Sequence, residues 1–236
     1  MTKINLDQKN IPQHIGIIMD GNRRWAEKRG LTAVEGHRAG AENLEKIANH
    51  CLDLGIKILT VYALSTENWR KRTEKEVKGI FDLILQAAKE KKKEYRAKGV
   101  KMAVLGEFQA FPRKVTRAIG EILNIVKTHE RLKVNLALNY GSRDEILRAV
   151  KKIVQEKIPL RKINEKTFSR FLYTSGERDP DLIIRTAGEV RISNFLLWQM
   201  SYSELYFTNT LWPDFDEKEL DKAITEYQRR RRNFGK

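Results

Sequence analysis

The chain has 236 residues, of which 46 are Lys or Arg and 31 are Asp or Glu, giving a formal net charge of +15 at pH 7. Hydrophobic residues make up 41%, enough for one sizeable core, and the length is short for two domains. A single cysteine, Cys51, excludes an intramolecular disulfide, and no apolar run is long enough to span a bilayer. The expectation is a cytoplasmic protein of one domain, residues 1–236, whose membrane contact is peripheral. Its charge favours polyanions: nucleic acid, anionic lipid or phosphorylated small molecules.

The first stretch, Met1 to Gln13, is polar and shows no secretory apolar core. An apolar run at Ile15–Met19 then reads as a strand buried on both faces, and it stops at Asp20. Gly21, Asn22, Arg23, Arg24 and Trp25 follow. Gly21 lets the backbone turn, and two arginines at a helix start favour an anion. An aspartate beside an anion invites Mg²⁺, which is commonly held by one or two carboxylates plus substrate phosphate oxygens.

A helical pattern covers Gly40–Leu54, and the strand Ile58–Ala63 runs into Ser65, Thr66, Glu67, Asn68 and Trp69. Ser65 and Asn68 are placed to hydrogen-bond a ligand or to cap a helix, and Trp69 to wall a cleft or lie on the surface. Thr73–Lys98 reads as one long helix, with capping-box spacing from Thr73 to Glu76. Then come the strand Val100–Leu105, the helix Pro112–Glu130, the strand Val134–Leu138, and helices over Arg143–Glu156 and Glu165–Leu172.

The strand Leu182–Ile184 leads into Arg185 and a glycine-containing loop with Arg191 and Ser193. Two cationic forks and a hydroxyl resemble a diphosphate clamp; the alternative is an ion pair from Arg185 to Glu189 or Glu204. A short strand at Leu205–Phe207, preceded by Glu204, and a helix at Glu217–Arg231 complete the chain. Strand and helix alternate, which predicts an α/β fold with a parallel sheet, ligands binding beyond the carboxyl ends of its strands. Walker, dinucleotide-fingerprint, zinc and nucleophile-elbow motifs are all absent from the sequence.

The segments His14–Trp25, Gly36–Gly40, Tyr62–Trp69 and Arg185–Asp214 together resemble the cis-prenyltransferases, in order and over nearly the whole chain. The resemblance implies a six-stranded, mostly parallel sheet flanked by helices, a hydrophobic tunnel, and a homodimer. It implies an Mg²⁺-dependent enzyme that adds isopentenyl diphosphate repeatedly to an allylic diphosphate, farnesyl diphosphate being the expected primer. The product is then a medium- or long-chain polyprenyl diphosphate.

Carried over residue by residue, Asp20 and Glu204 become metal-associated carboxylates. Gly21, Asn22, Arg23, Arg24 and His37 cradle the allylic diphosphate, with Trp25 beside them. Ser65 and Asn68 serve the condensation, Trp69 lines the substrate region, and Arg185, Arg191 and Ser193 clamp isopentenyl diphosphate. Asp20, Asn68 and His37 are the catalytic candidates, the proton acceptor being left open among Asp20, an organised water and a diphosphate oxygen. Arg72 fits the position of a family arginine better than Lys71, and Ala33 stands where the family often has arginine. Leu83, Ile84, Leu85, Leu136 and Leu138 are candidate tunnel walls, and the small Ala63 leans toward a longer product. Two further readings are a non-catalytic partner subunit of the same fold and a basic nucleic-acid-binding protein, against which no aromatic-basic RNA motif is found.

Overall fold

The computed structural model describes residues 6–71, 73–124 and 131–230. Six strands form one sheet: β1 His14–Ile18, β2 Ile58–Ser65, β3 Val100–Leu105, β4 Leu132–Tyr140, β5 Leu182–Arg185 and β6 Glu204–Phe207. Their order is β3-β4-β2-β1-β5-β6, and every neighbouring pair is parallel. Every strand read from an apolar run is present. β2 and β4 extend further, through Ser65 and Tyr140, because ladder hydrogen bonds do not require apolar side chains; the β2–β4 register shifts around Leu64.

The helices are α1 Asn22–Glu27, α2 Ala33–Asp53, α3 Thr66–Lys71, α4 Glu74–Glu90, α5 Lys92–Lys98, α6 Arg113–Leu123, α7 Ser142–Gln155, α8 Glu165–Ser169 and α9 Glu217–Arg229. Two differ from expectation in a way that matters. α2 starts at Ala33 rather than Gly40, opened by a reciprocal capping box between Thr32 and Glu35. That Thr-x-x-Glu signal is in the sequence, but the glycines at 36 and 40 obscured it. The expected helix Thr73–Lys98 is interrupted at Lys91, whose ψ of -4° ends one helix and starts the next. No Gly or Pro marks the break, where Lys91 meets Glu45 of α2 and Glu94 of α5. The expected α6 reaches into 125–130, outside the described residues.

Side-chain alternation along β4 separates the two faces of the sheet. Val134, Leu136 and Leu138 look toward α2, α4 and α6. On the other face Asn135 and Lys133 meet Glu177, at 2.6 and 2.7 Å. The largest core cluster joins β1, β2 and β4 to α2 and α9 through Ile15, Ile17, Ile47, Leu59, Trp212 and Ile224. On the opposite face, Ile18, Ala137, Tyr140 and Phe195 pack together. His14 is buried there, its ring nitrogens 2.6 Å from the Arg178 carbonyl and 2.7 Å from Thr60 Oγ1. Among the described residues, no helix is long and apolar enough to cross a membrane.

Candidate active site

In a parallel sheet, a crevice opens where the strand order reverses direction. Here that happens between β1, whose chain proceeds to β2 on one side, and β5 on the other. Ile18 is in register with Arg185, so the residues that follow β1 and end β5 meet at the carboxyl edge. Arg185 Nη2 donates to Asp20 Oδ2 at 2.9 Å; the Arg185 side chain is 4% exposed and that of Asp20 36%. A buried guanidinium requires an anionic partner, and Asp20 fills that role rather than Glu189 or Glu204.

Asp20 is fixed from several directions. Its Oδ1 accepts the Gly21 N–H at 2.9 Å, and its backbone N–H donates to Thr186 Oγ1 at 2.9 Å. Its carbonyl accepts from the Thr186 hydroxyl at 2.7 Å and from the Trp212 N–H at 3.0 Å. Gly21 has φ +109°, and a Cβ there would lie 3.0 Å from both Ala187 Cβ and Leu211 Cδ2, so a side chain is excluded on two grounds.

The loop after β5 is drawn in by the same arginine. Arg185 Nη1 donates to the Arg191 carbonyl at 2.5 Å and to Ser193 Oγ at 2.7 Å. The Arg191 guanidinium is exposed and pairs with Glu189, which also meets Arg24 at 3.4 Å. One carboxylate thus spans arginines on both sides of the crevice. Arg23 is held at 2.6 Å by Glu76. Burial pushes the Glu76 carboxyl up, but hydrogen bonds from Arg23 and Thr73 and the nearby Arg23 charge outweigh it, and the net shift is downward.

Asn22 starts α1 and lies against α2. A Cβ on Gly40 would stand 2.2 Å from Asn22 Oδ1, and one on Gly36 would stand 2.3 Å from the Asn22 carbonyl. The two glycines, one turn apart, let α1 seat on α2. Asn22 Oδ1 is buried without a hydrogen-bond partner. His37, one residue along α2, is half-buried and its Nδ1 lies 2.6 Å from the Ala33 carbonyl.

Across the crevice, Ser65 Oγ accepts the Asn68 N–H at 3.0 Å and so caps α3, while the Asn68 side chain is exposed. Trp69 is not a surface residue: its ring packs on Phe81 and Phe111 with centroids 5.6 and 4.9 Å away. Trp25 points away from the cleft, its indole N–H donating to Asp214 at 2.7 Å. Arg72 lies outside the described residues. Glu204 is not brought to Asp20 within this chain. It pairs with Leu182 at the opposite end of the sheet, about 10 Å along the strand from the Arg185 register, and binds Arg230 at 2.8 Å.

Next to the crevice a cavity of about 300 Å³ runs between the sheet and helices α2, α4 and α6. Met19 and Asn22, which flank Asp20 and Gly21, line one end with His37. Val134, Leu136 and Leu138 form the floor, with Leu44, Ile84 and Ile119 among the walls. Alanines at 41, 48, 63, 87 and 103 leave the space open. Along α2 the lining extends from His37 to Asn49, about 18 Å at 1.5 Å per residue. Of the expected walls, Leu83, Ile84, Leu136 and Leu138 are present, whereas Leu85 turns instead toward Ala88, Ala118 and Ile122. The far end is polar: Lys91 meets Glu45 at 2.8 Å and Glu94 at 3.3 Å, and Lys98 meets Glu94 at 2.6 Å and Asn49 at 2.9 Å.

Among the described residues no three His, Cys, Asp or Glu side chains form a metal cage. Asp20 presents one partly exposed carboxylate, a donor set that suits a cation completed by water and ligand oxygens. The sequence pattern did not single out Thr186, and it marked Glu76 only as a helix cap and Glu189 only as a partner for Arg185, whereas Glu76 holds Arg23 and Glu189 meets Arg24 and Arg191. The Thr186 hydroxyl directly after the strand-end arginine was the one available signal.

A family model described as "Putative undecaprenyl diphosphate synthase" matches residues 18–235. The isoprenyl transferase of Aquifex aeolicus (strain VF5) is 49% identical over 226 residues, covering 96% of each chain. That of Neisseria meningitidis is 44% identical, covering 100% of this chain and 94% of the other. A lavandulyl diphosphate synthase from Lavandula x intermedia, solved with dimethylallyl diphosphate, superposes with TM-score 0.90 at 34% identity over 97% of this chain and 100% of its own. A "probable undecaprenyl diphosphate synthase" from Campylobacter jejuni gives TM-score 0.79 at 33% identity, covering 96% and 100%.

Proposed function

Because the chain belongs to the undecaprenyl diphosphate synthase family of cis-prenyltransferases, we propose that it adds isopentenyl diphosphate repeatedly to an allylic diphosphate, with farnesyl diphosphate as primer. The observation that carries this reading is continuity: Met19 and Asn22, on either side of Asp20 and Gly21, line the apolar cavity. A charged crevice suited to two diphosphates therefore opens onto a dry channel suited to a growing hydrocarbon. Each CH₂ buried in such a channel contributes about 0.8 kcal/mol.

In this reading Arg23, Arg24 and the Asn22 amide hold the allylic diphosphate, and His37 lies beside it. Arg185, Arg191 and Ser193 hold isopentenyl diphosphate across the crevice. Asp20 is the residue that would hold Mg²⁺. When bound, Mg²⁺ supplies positive charge against the leaving diphosphate. The isopentenyl double bond attacks the allylic carbon, the allylic C–O bond breaks, diphosphate departs, and a proton leaves the new unit. Holding both partners in place can lower such a barrier by roughly 7–11 kcal/mol. The acceptors open to that proton are Asp20, a water organised by Asn68 and His37, and a diphosphate oxygen.

The polar far end of the channel supports a bounded product. A hydrocarbon that reaches Glu45, Lys91, Glu94 and Lys98 meets charged groups it cannot solvate, and further growth there becomes unfavourable. A medium or long polyprenyl diphosphate is therefore expected. A homodimer is supported by α7, which exposes Leu147, Val150 and Val154 at helical spacing near exposed Leu160 and Ile163. The product's apolar chain and the positive surface favour peripheral contact with anionic lipid.

The test is incubation of purified protein with farnesyl diphosphate, labelled isopentenyl diphosphate and Mg²⁺, with an EDTA control and chain-length analysis. A magnesium-dependent ladder ending at one length is expected. Absence of incorporation across several primers would overturn the reading.

A further inference from the structure

We propose that Asn194 is a positioning residue that ties the isopentenyl diphosphate loop to helix α3 and so fixes the distance between the two halves of the site. The inference rests on the function proposed above.

Asn194 follows Ser193 directly and makes one bond from each polar group of its side chain and one through its carbonyl. Its Nδ2 donates to Glu67 Oε1 at 3.1 Å, on α3 between Ser65 and Asn68. Its Oδ1 accepts the Arg143 N–H at 2.9 Å, and its carbonyl accepts the Ser142 N–H at 2.9 Å. These two amides are orphan donors at the start of α7, whose N-cap, Gly141, has no side chain to satisfy them. Asn194 therefore caps a helix far away in sequence while holding a second helix through its amide.

The loop adopts a conformation that suits this task. Ser193, Asn194 and Leu196 all have positive φ, of 46°, 64° and 46°. Asparagine tolerates this region better than most side chains. On the other side of the same loop, Arg185 holds the Arg191 carbonyl and the Ser193 hydroxyl. The clamp is thus gripped twice, by β5 through Arg185 and by α3 and α7 through Asn194. The Glu67 carboxyl stays ionised in this setting. Burial raises its pKa, but its own backbone N–H, the Asn194 amide and the Ser65 hydroxyl bring it below the ordinary value.

The experiment reverses the donor. Asn194→Asp keeps the acceptor for Arg143 but sets two carboxylates against each other, releasing the loop from α3. Asn194→Asp combined with Glu67→Gln restores a hydrogen bond in the opposite sense, because the introduced amide donates to the introduced carboxylate. The single variant is expected to lose about 10- to 100-fold in kcat/KM for isopentenyl diphosphate, a misplacement effect, with the KM for the primer little changed. The double variant should recover most of that loss. Should Asn194→Asp melt early, Glu67→Ala removes the same bond from the α3 side and must raise the KM for isopentenyl diphosphate. Wild-type rates in Asn194→Asp, or a loss that the double variant does not repair, would overturn the proposal while the wild-type protein still transfers prenyl groups. A wild-type protein that transfers none overturns it together with the function on which it rests.

Discussion

The crevice and the channel share walls but are built on opposite principles. In the crevice the charged side chains are held by specific partners: Arg185 spans Asp20, Arg191 and Ser193, and Thr186 both donates to and accepts from Asp20. In the channel the identity of a side chain matters less than its volume, and alanines at 41, 48, 63, 87 and 103 do the shaping. Chemistry that develops charge needs fixed dipoles and donors at set distances. A hydrocarbon needs only space from which water is excluded. Changes in the crevice should therefore alter rate, and changes in the channel should alter product length.

The largest effect is expected for Asp20→Asn. The amide offers one oxygen where the carboxylate accepts from both Arg185 and Gly21, and it leaves the buried guanidinium without its anion, so the melting temperature should fall as well, and the charge that suits a cation is lost. Turnover should fall at least about 100-fold in the steady-state assay. Near-normal turnover would remove Asp20 from the chemistry and dissolve the distinction between the two regions.

A smaller and different effect is expected in the channel. Ala63→Leu narrows the wall beside the crevice and should shorten the product while the first condensation proceeds within about threefold of normal, since a leucine there fills open space rather than a packed core. At the far end, Lys91→Met removes the link between Glu45 and Glu94 and should lengthen or broaden the product ladder. These side chains are partly exposed, so the cost in stability should stay within about 1 kcal/mol. Equal product lengths in all three proteins would break the assignment of length to this channel.

The smallest effect concerns neither region but the face of the sheet behind them. Burial lowers the pKa of His14 from its ordinary value of 6.5, against the opposing influence of the Arg178 carbonyl and the Glu177 and Asp181 charges. The folded chain thus holds the ring neutral where the unfolded chain takes up a proton. The stabilising contribution is complete above pH 6.5 and is lost as pH falls below it toward the folded value. The melting temperature should drop between pH 7.5 and 5.5, and His14→Gln should flatten that slope. The lowered Glu76 carboxyl also loses its contribution on acidification, but only below its ordinary 4.5, outside this window.

Much of this architecture was legible in the chain before folding. Strands buried on both faces must be apolar along their length, so β1, β2, β3, β4 and β5 stand out as runs, and the residues that end them fall on the ligand edge of a parallel sheet. That is how Asp20, Ser65 and Arg185 could be placed by pattern alone. What folding decided was which polar group meets which. Pairing of Arg185 with Asp20 depends on β5 lying beside β1, and a difference of 165 positions leaves no local trace. Lys91, at the break between α4 and α5, meets Glu45 on another helix, and the cap that Asn194 supplies to α7 comes from 51 residues away. Glu204 fell near Arg185 in sequence logic and at the other end of the sheet in space, because a strand's first residue and a parallel neighbour's last stand at opposite edges. Backbone periodicity is a local property, and the sequence carries it openly. Partner choice among charges is settled by the sheet order, which only the packed structure contains.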